Sequence, residues 1–508
     1  MKNLSRRDFL KSTGALLLGS MIPAAARTVL NRGFRQGDPS LPNVIVLLFD
    51  TTSAHNLSLY GYRRATTPNL ERFAERATVF HKHISAGNYT TPGTASLLTG
   101  AYPWTHRAIN QSGLVLRDLK EHNIFSLFHP QRHCFAFSQN LWADYLIDEF
   151  GKSIDAHLLP GSFSVAEKSV GSFFPNDENI SYRAFDDFLF QTSGGVGSLV
   201  FGPLEKEEFL YRLARVNTKG YSRGLPHDVT NPKYFNLKDV FDGAFSQLIS
   251  LPSPYFAYIH LYAPHEPYRP RLEFENIFRD NWRPDTKPIS RFNDGSTPMN
   301  LITRRTNYDE YIANVDAEFG RLIDSLTESG ILDNSILVVT SDHGQLFERG
   351  LHGHSTPLLY DPVIHVPLLI SLPGQTSRAD VHVSTSSVDV LPTLLQLVGL
   401  EVPAWCEGIG LPGLSGQELV ERTIYSVEAK SNSAFAPLKK VTIAMRKNGY
   451  KLIHYRGHDP EDQFELYDME NDPEELIDLY PSNPSFVSGM REELFSALSE
   501  ANDRVAAR

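Results

Sequence analysis

Cysteine is almost absent: Cys134 and Cys406 are the only two among 508 residues. A scaffold built on disulfides is thereby excluded; one bridge in an oxidising compartment and two free thiols both fit the sequence. Excess positive charge is missing too. Lys and Arg number 48 against 59 Asp and Glu, a net charge of −11, which argues against nucleic acid as a partner because phosphate binding draws on basic side chains. Beyond the first 26 residues no apolar run approaches the ~18 residues of a membrane-spanning helix, so no stable membrane span is expected in the mature protein. What is present, 41% hydrophobic and 21% charged residues, is a globular composition. The length allows about three domains, or one large α/β domain with a smaller appendage.

The chain opens MKNLSRRDFLKSTGALLLGSMIPAAA: a basic start, a short apolar run and small residues fit for cleavage, the order of a secretory signal over residues 1–26. The run from Ser5 to Lys11 is similar to the twin-arginine signal. An exported protein, periplasmic or extracellular, is expected, with the twin-arginine translocation machinery as a partner and a linker over residues 27–42.

NVIVLLFD then forms a continuous apolar run ending at Asp50, the pattern of a strand buried on both faces. Thr67-Pro68 predicts a helix start with the Thr67 hydroxyl as cap, carrying Leu70, Phe73, Ala74 and Ala77 on its apolar side. Apolar residues from Tyr308 to Leu326 keep helical spacing, Gly330 ends that helix, and SILVVTSDHG supplies another buried strand. These strand and helix units predict an α/β fold: a mainly parallel sheet flanked by helices, with ligands gathering beyond the carboxyl ends of its strands. The glycines of TSGGVGSLVFG, within residues 161–250, complete no dinucleotide fingerprint, and the segment is read as a loop or insertion. CEGIGLPGLSG marks a boundary. The Asn448-Gly449 turn between two short strands predicts a hairpin, hence a small antiparallel subdomain over residues 417–508, after a catalytic domain at 43–405. The acidic run Glu470 to Asp478 reads as a solvated face.

Asp50, Asp342 and His343 stand at the ends of predicted strands, where two carboxylates and an imidazole would hold a divalent cation if the strands are neighbours; taken singly, each Asp also fits a turn or helix cap. His260, His265, His352 and His354 could bind a cation, hold an anionic oxygen or donate a proton, or be ordinary core and surface histidines. The spacing of His352 and His354 matches neither a helical zinc pair nor a closed zinc site. In NYTTPGTASLLTG, Asn88 to Gly100, the open question is whether Thr90 or Thr91 merely caps a helix or supplies a nucleophilic hydroxyl.

The order of NVIVLLFDTT, TTPNLERFAERATVF, TTPGTASLLTG, APHEPY, ILVVTSDHGQLFERGLHGH, YDPVIHVPLLI and VDVLPTLLQLVGLEVP resembles the sulfatase family of the alkaline phosphatase superfamily, from about residue 43 to 404. GYKLIHY and FELYDMENDPEE resemble its closing subdomain. In that family a Cys or Ser, followed by a fixed Pro and Arg, becomes formylglycine. The resemblance puts Thr90 at the modified position, Pro92 at the proline and Thr94 at the arginine. A threonine cannot become that aldehyde, and Thr51 follows Asp50 where another Asp is usual.

With these departures the chain is similar to the single-metal phosphoethanolamine and glycerol-phosphate transferase branches, which use a threonine nucleophile. The resemblance implies one divalent ion (Mn, Zn, Mg or Ca) held by Asp50, Thr90, Asp342 and His343. It further implies Thr90, His354 and His265 in catalysis, with His260 and His352 as weaker substrate-side residues. The expected activity is metal-dependent cleavage of phosphate mono- or diesters, or phosphoryl transfer, on a small-molecule, glycan or lipid-headgroup substrate. Sulfate-ester hydrolysis is the alternative, and a catalytically silent ligand-binding homologue the third reading.

Overall fold

The computed structural model describes residues 41–166, 218–229, 233–414, 422–482 and 485–507, together with 210, 213–216 and 416. The signal, most of the linker and the TSGGVGSLVFG segment lie outside the described residues. At the centre is an eight-stranded sheet in the order β12-β2-β11-β8-β1-β7-β3-β4. Its strands are β1 (Asn43–Phe49), β2 (Thr78–Ile84), β3 (His133–Ser138), β4 (Ala156–Leu158), β7 (Tyr255–Leu261), β8 (Ser335–Thr340), β11 (Leu368–Ser371) and β12 (Ala379–Ser386). Strands β5 (Ser164–Ala166) and β6 (Tyr234–Phe235), and β9 (Leu346–Glu348) and β10 (Leu351–Gly353), form two small antiparallel pairs. In the large sheet β11 alone runs against its neighbours, so the sheet is mainly parallel, as the apolar runs predict.

Those runs are continuous because each strand feeds two cores. Ile45, Leu47 and Phe49 of β1 face one apolar cluster, and Val44, Val46 and Leu48 face the other. The first is covered by helices Leu237–Ser250 and Pro298–Glu328, through residues such as Phe241, Ile312 and Phe319. Helices Thr90–Thr99, Leu141–Glu149 and Val390–Leu397 cover the second. Burial of this kind stabilises by about 25 cal/mol per Å² of apolar surface, and the central strands β1, β7 and β8, buried along their whole length, do not alternate polar with apolar residues.

Two helix starts differ in how they are capped. Thr297 accepts a hydrogen bond from the Asn300 N–H ahead of Pro298, so the long helix begins ten residues before the apolar spacing shows it. Thr67, however, does not cap the helix Pro68–Ala74. Its hydroxyl accepts from the Leu59 N–H, and the Asp316 carboxylate takes the Asn69 and Leu70 N–H groups, both at 2.8 Å. A carboxylate is a stronger acceptor at a helix N-terminus than a hydroxyl, and it comes from a helix 247 residues away in sequence.

Strands β13 (Ile424–Glu428), β14 (Val441–Lys447), β15 (Tyr450–Arg456) and β16 (Gln463–Asp468) form a second, antiparallel sheet. The predicted hairpin turn is present, with Asn448 at φ 52° and Gly449 at φ 77°. One face of this sheet packs on the closing helix Val487–Ala506, and the other meets Leu346, Leu358 and Val363 of the catalytic part. The acidic run at 470–478 is not wholly a solvated face. Glu475 is buried, because the Lys451 ammonium beneath it needs a counter-charge and donates to Glu475 Oε1 at 2.6 Å. Both cysteines are free thiols.

The first turn of helix Thr90–Thr99 lies directly on the backbone after β8: a Cβ on Gly93 would sit 2.3 Å from the Asp342 carbonyl oxygen. Neither backbone can yield without moving the sheet end. Gly93→Ala should lower stability by about 1–3 kcal/mol, measured as a reduced denaturation midpoint with an unchanged m-value.

Candidate active site

Parallel register brings the strand ends level. Leu48 of β1 pairs with Thr340 of β8 and with His260 of β7, and Ser138 of β3 also pairs with His260. Two residues beyond the paired positions come Asp50, Asp342 and Asn140. Asp50, Asp342, His343 and His260 are all essentially without solvent exposure.

The side chains converge at ligand spacing. His343 Nε2 lies 3.6 Å from Asp50 Oδ1 and 3.5 Å from Asp342 Oδ2, and His260 Nε2 lies 3.5 and 3.9 Å from Oδ2 of the same two residues. Metal bonds of about 2.0–2.2 Å place neighbouring ligand atoms at about these separations. Two of the atoms are orphans: His260 Nε2 and Asp342 Oδ2 are buried without a hydrogen-bond partner. Buried polar atoms are almost always satisfied, and a divalent cation between them would satisfy both. His343 Nδ1 donates to the Gly344 carbonyl at 3.0 Å, which leaves Nε2 as a bare lone pair aimed into the cluster. The donor set of Asp50, Asp342, His343 and His260 therefore fits a divalent cation, with Thr90 on its rim.

Electrostatics agree with such a role. Burial raises the Asp342 carboxyl to about 7, with repulsion from Asp50 adding to it and His260 opposing it. For Asp50 burial acts in the same direction but is outweighed by His260, His265 and His343, and its carboxyl is driven far below the ordinary range. Burial lowers His343 to about 4 against the pull of Asp50. A bound cation would favour the ionised form of both carboxylates.

Thr90 is the first helical residue and Tyr89 the cap; neither Thr90 nor Thr91 takes the capping role. Thr91 donates to the Gln111 carbonyl instead. Thr90 Oγ1 lies 3.4 Å from His343 Nε2 and accepts from Asn140 Nδ2 at 3.2 Å. Asn140 also donates to Asp50 Oδ2 at 2.5 Å, while its own carbonyl oxygen caps the helix Leu141–Glu149 through the Trp142 N–H. That cap locks which end of the amide faces the site. Thr51, where a second acid is usual, donates through its hydroxyl to Asp50 Oδ1 at 2.6 Å, and its N–H donates to Asp342 Oδ1. It does so at φ 62°, a strained backbone for a β-branched residue. Thr94 is buried one helical turn below Thr90.

The remaining histidines divide. The His354 ring lies tilted against that of His343, 4.4 Å between centroids, and edge-on to that of His265 at 5.2 Å, so both border the cluster; burial, with the nearby His343 and His265, holds His354 well below its ordinary pKa. His352 stands one shell out, hydrogen-bonded to Tyr268 and Gln345. Gln345 connects it to His354, whose Nδ1 is 2.6 Å from Gln345 Oε1. His260, expected on the substrate side, is among the carboxylates instead, because β7 lies beside β1. Asn140 and Gln345 carried little sequence signal: the first is a polar residue ending a strand before a helix, and the second follows SDHG.

A buried hydroxyl beside clustered carboxylates and imidazoles at the ends of a parallel sheet defines the class of alkaline-phosphatase-like, metal-dependent ester hydrolases. More narrowly, the chain belongs to the sulfatase family, whose model matches residues 42–400; the model for the N-sulphoglucosamine sulphohydrolase C-terminal region matches residues 350–503. An N-acetylglucosamine-6-O-sulfatase of Bacteroides thetaiotaomicron is 32% identical over 93% of this chain and 88% of its own length. A choline-sulfatase of Rhizobium meliloti is 25% identical over 86% of this chain and 82% of its own. In fold the chain is similar to a phosphonate monoester hydrolase of Agrobacterium radiobacter, with a TM-score of 0.64, 19% identity, and coverage of 91% of this chain and 96% of that one. It is also similar to BT4656 in complex with D-glucosamine-2-N,6-O-disulfate, at a TM-score of 0.62, 19% identity, and coverage of 92% and 99%.

If His260 is a ligand, His260→Ala should weaken divalent-metal binding about tenfold or more, and Asp342→Asn should do the same. Titration calorimetry on chelator-stripped protein measures both; unchanged affinity in His260→Ala would return that residue to the substrate side.

Proposed function

We propose that this sulfatase-family hydrolase cleaves phosphate mono- or diesters with Thr90 as nucleophile. One observation carries the reading: the Thr90 hydroxyl is a buried group within hydrogen-bond distance of both His343 and Asn140; the resemblance to the family's modification motif would set it where the formylglycine precursor stands. A hydroxyl there can attack an ester directly, whereas formylglycine chemistry needs a Cys or Ser.

A divalent ion held by Asp50, Asp342, His343 and His260 would supply positive charge to the anionic ester and favour loss of the Thr90 proton. The chain's own groups do the rest. Asn140 donates to Thr90 Oγ1, which turns a lone pair and the hydroxyl proton in defined directions and orients the oxygen for in-line attack. Attack forms the Thr90 Oγ1–phosphorus bond and breaks the bond to the leaving alcohol. The Thr90 proton passes to the unprotonated Nε2 of His354 or His265, each of which keeps its own proton on Nδ1, turned to Gln345 Oε1 or to the Glu266 carbonyl, and that nitrogen delivers it to the leaving alcohol oxygen. Gln345 holds the His354 ring in place through Nδ1. Water then attacks the phosphoryl-threonine, its proton passing through the same histidine to Thr90 Oγ1 as the Oγ1–phosphorus bond breaks and the phosphate leaves. The positive end of helix Thr90–Thr99 adds to the attraction for the anion.

Sulfate-ester hydrolysis is the second reading, favoured by the sulfatases among the relatives; the lack of an arginine at Thr94 weighs against it. An anionic ester of a small molecule, a glycan or a lipid headgroup is the substrate class in either case. The twin-arginine-like start supports export of the folded chain to the periplasm or beyond.

Parallel assays of phosphate monoesters, phosphate diesters, phosphonate monoesters and sulfate esters, with each divalent metal in turn, should give turnover on phosphorus esters. Thr90→Ala should lower kcat by about 10⁴-fold or more, and rapid quenching of the wild type should trap a phosphoryl mass on Thr90. Full activity in Thr90→Ala would remove the nucleophile assignment, and turnover confined to sulfate esters would replace the phosphoryl reading.

A further inference from the structure

A second set of metal-type ligands stands away from the catalytic cluster. His55 lies in the turn Ala54–Asn56 after β1, Asp361 opens the short helix Asp361–Ile364, and His365 follows it. Each offers one ligand atom, and the three atoms lie within 4.8 Å of one another. They line a cleft of about 490 Å³ between the catalytic sheet and the C-terminal sheet, and none of the catalytic side chains borders that cleft.

The hydrogen bonding leaves the right atoms turned inward. His365 Nε2 lies 2.9 Å from the His81 carbonyl oxygen; a carbonyl only accepts, so Nε2 carries the proton and Nδ1 keeps its lone pair. Metal-binding histidines are commonly oriented in this way, with the distal N–H on a backbone carbonyl. The His55 ring stands nearly perpendicular to that of His365, at 88° with centroids 5.4 Å apart, so the two rings are not stacked face to face and can both address one point.

Asp361 divides its oxygens. Oδ1 accepts from Arg446 and from Lys451, the latter at 2.8 Å, whereas Oδ2 is turned to His55, 4.0 Å from its Nε2. Glu475 offsets Lys451, so the surrounding charges of Asp361, Glu475, Arg446 and Lys451 cancel, and the site does not present an excess of positive charge to an entering cation.

We propose that His55, Asp361 and His365 form a second divalent-metal site, of the zinc type, with its fourth position open to the cleft. Two imidazoles and one carboxylate favour zinc, cobalt or nickel over magnesium and calcium, which prefer all-oxygen shells. Zinc bonds of about 2.0–2.2 Å bring ligand atoms to about 3.3 Å from one another, which side-chain rotations moving each atom by about 1 Å achieve. The ion would tie the segment after β1 to the segment before β11. The latter already receives the Gly344 and Gln345 N–H groups through Val363 and Pro362, so the second site would brace the back of the loop that carries His343.

The test uses tag-free full-length protein stripped with a chelator, and zinc as the probe, with stoichiometry read by calorimetry and by elemental analysis after dialysis. Wild type should bind about two zinc ions per chain. Asp50→Asn/Asp342→Asn, which leaves the second site untouched, should keep about one, and excess magnesium or calcium should not displace it. In that background cobalt(II) should give the intense visible absorption of a tetrahedral site, lost on adding His55→Gln/His365→Gln. Absence of zinc binding in Asp50→Asn/Asp342→Asn would overturn the proposal, as would an unchanged stoichiometry in His55→Gln/His365→Gln with native circular dichroism. The first variant needs no change at the second site, so the proposal stays falsifiable even if the histidine variants fold poorly.

Discussion

Two carboxylates, Asp50 and Asp342, are buried side by side at adjacent strand ends, and the rest of the site answers that constraint. Removing two like charges from water is costly unless donors or opposite charge surround them. The Thr51 N–H and hydroxyl, the Asn140 amide, His260 and His343 all turn towards the pair. Thr51 accepts a left-handed backbone to take part, and Tyr308 holds that backbone by donating to the Thr51 carbonyl at 2.6 Å. Two orphan atoms remain in this arrangement, and they are the ones a cation would join. Strain and unsatisfied polarity thus meet where the reaction is placed, as is common at functional sites.

The position of the Thr90 hydroxyl depends on the same strand end through the backbone instead of through charge. The first turn of helix Thr90–Thr99 packs on the Asp342 carbonyl at Gly93, so the helix start cannot drift from β8 without opening a gap in the core beneath it. Asn140 closes the arrangement by linking the hydroxyl, Asp50 and the start of helix Leu141–Glu149. Three elements from distant parts of the chain therefore fix one oxygen atom, and rigid placement of this kind is what the proposed attack by Thr90 requires.

The antiparallel sheet at the C-terminal end is joined to the catalytic part by apolar packing and by a buried charged group. Lys451 bridges Asp361 and Glu475, and Arg446 reaches Asp361 as well. Such a group contributes less stability than its contacts suggest, because each ion is desolvated; its geometric effect is to hold the Asp361–His365 segment in one position against the second sheet. The Gly344–Gln345 and Pro362–Val363 pairing joins the segment that carries His343 to the one that lines the cleft.

Apolar runs without alternation determined the parallel sheet, because only strands covered on both faces read that way, and Asn448-Gly449 determined the hairpin through its turn geometry. Asp50, Asp342 and His343 were legible because strand ends are where such a sheet presents its ligands. Other placements were not. The sequence shows what a residue can do locally, so Thr67 before a proline reads as a cap and Glu475 in an acidic run reads as solvated. Tertiary structure supplied competing partners, Asp316 and Lys451, that no local window contains. It also decided that His260 faces the carboxylates, that Asn140 reaches Thr90, and that His55 meets His365. Strand order and parallel register set those contacts, and both arise from packing between segments hundreds of residues apart.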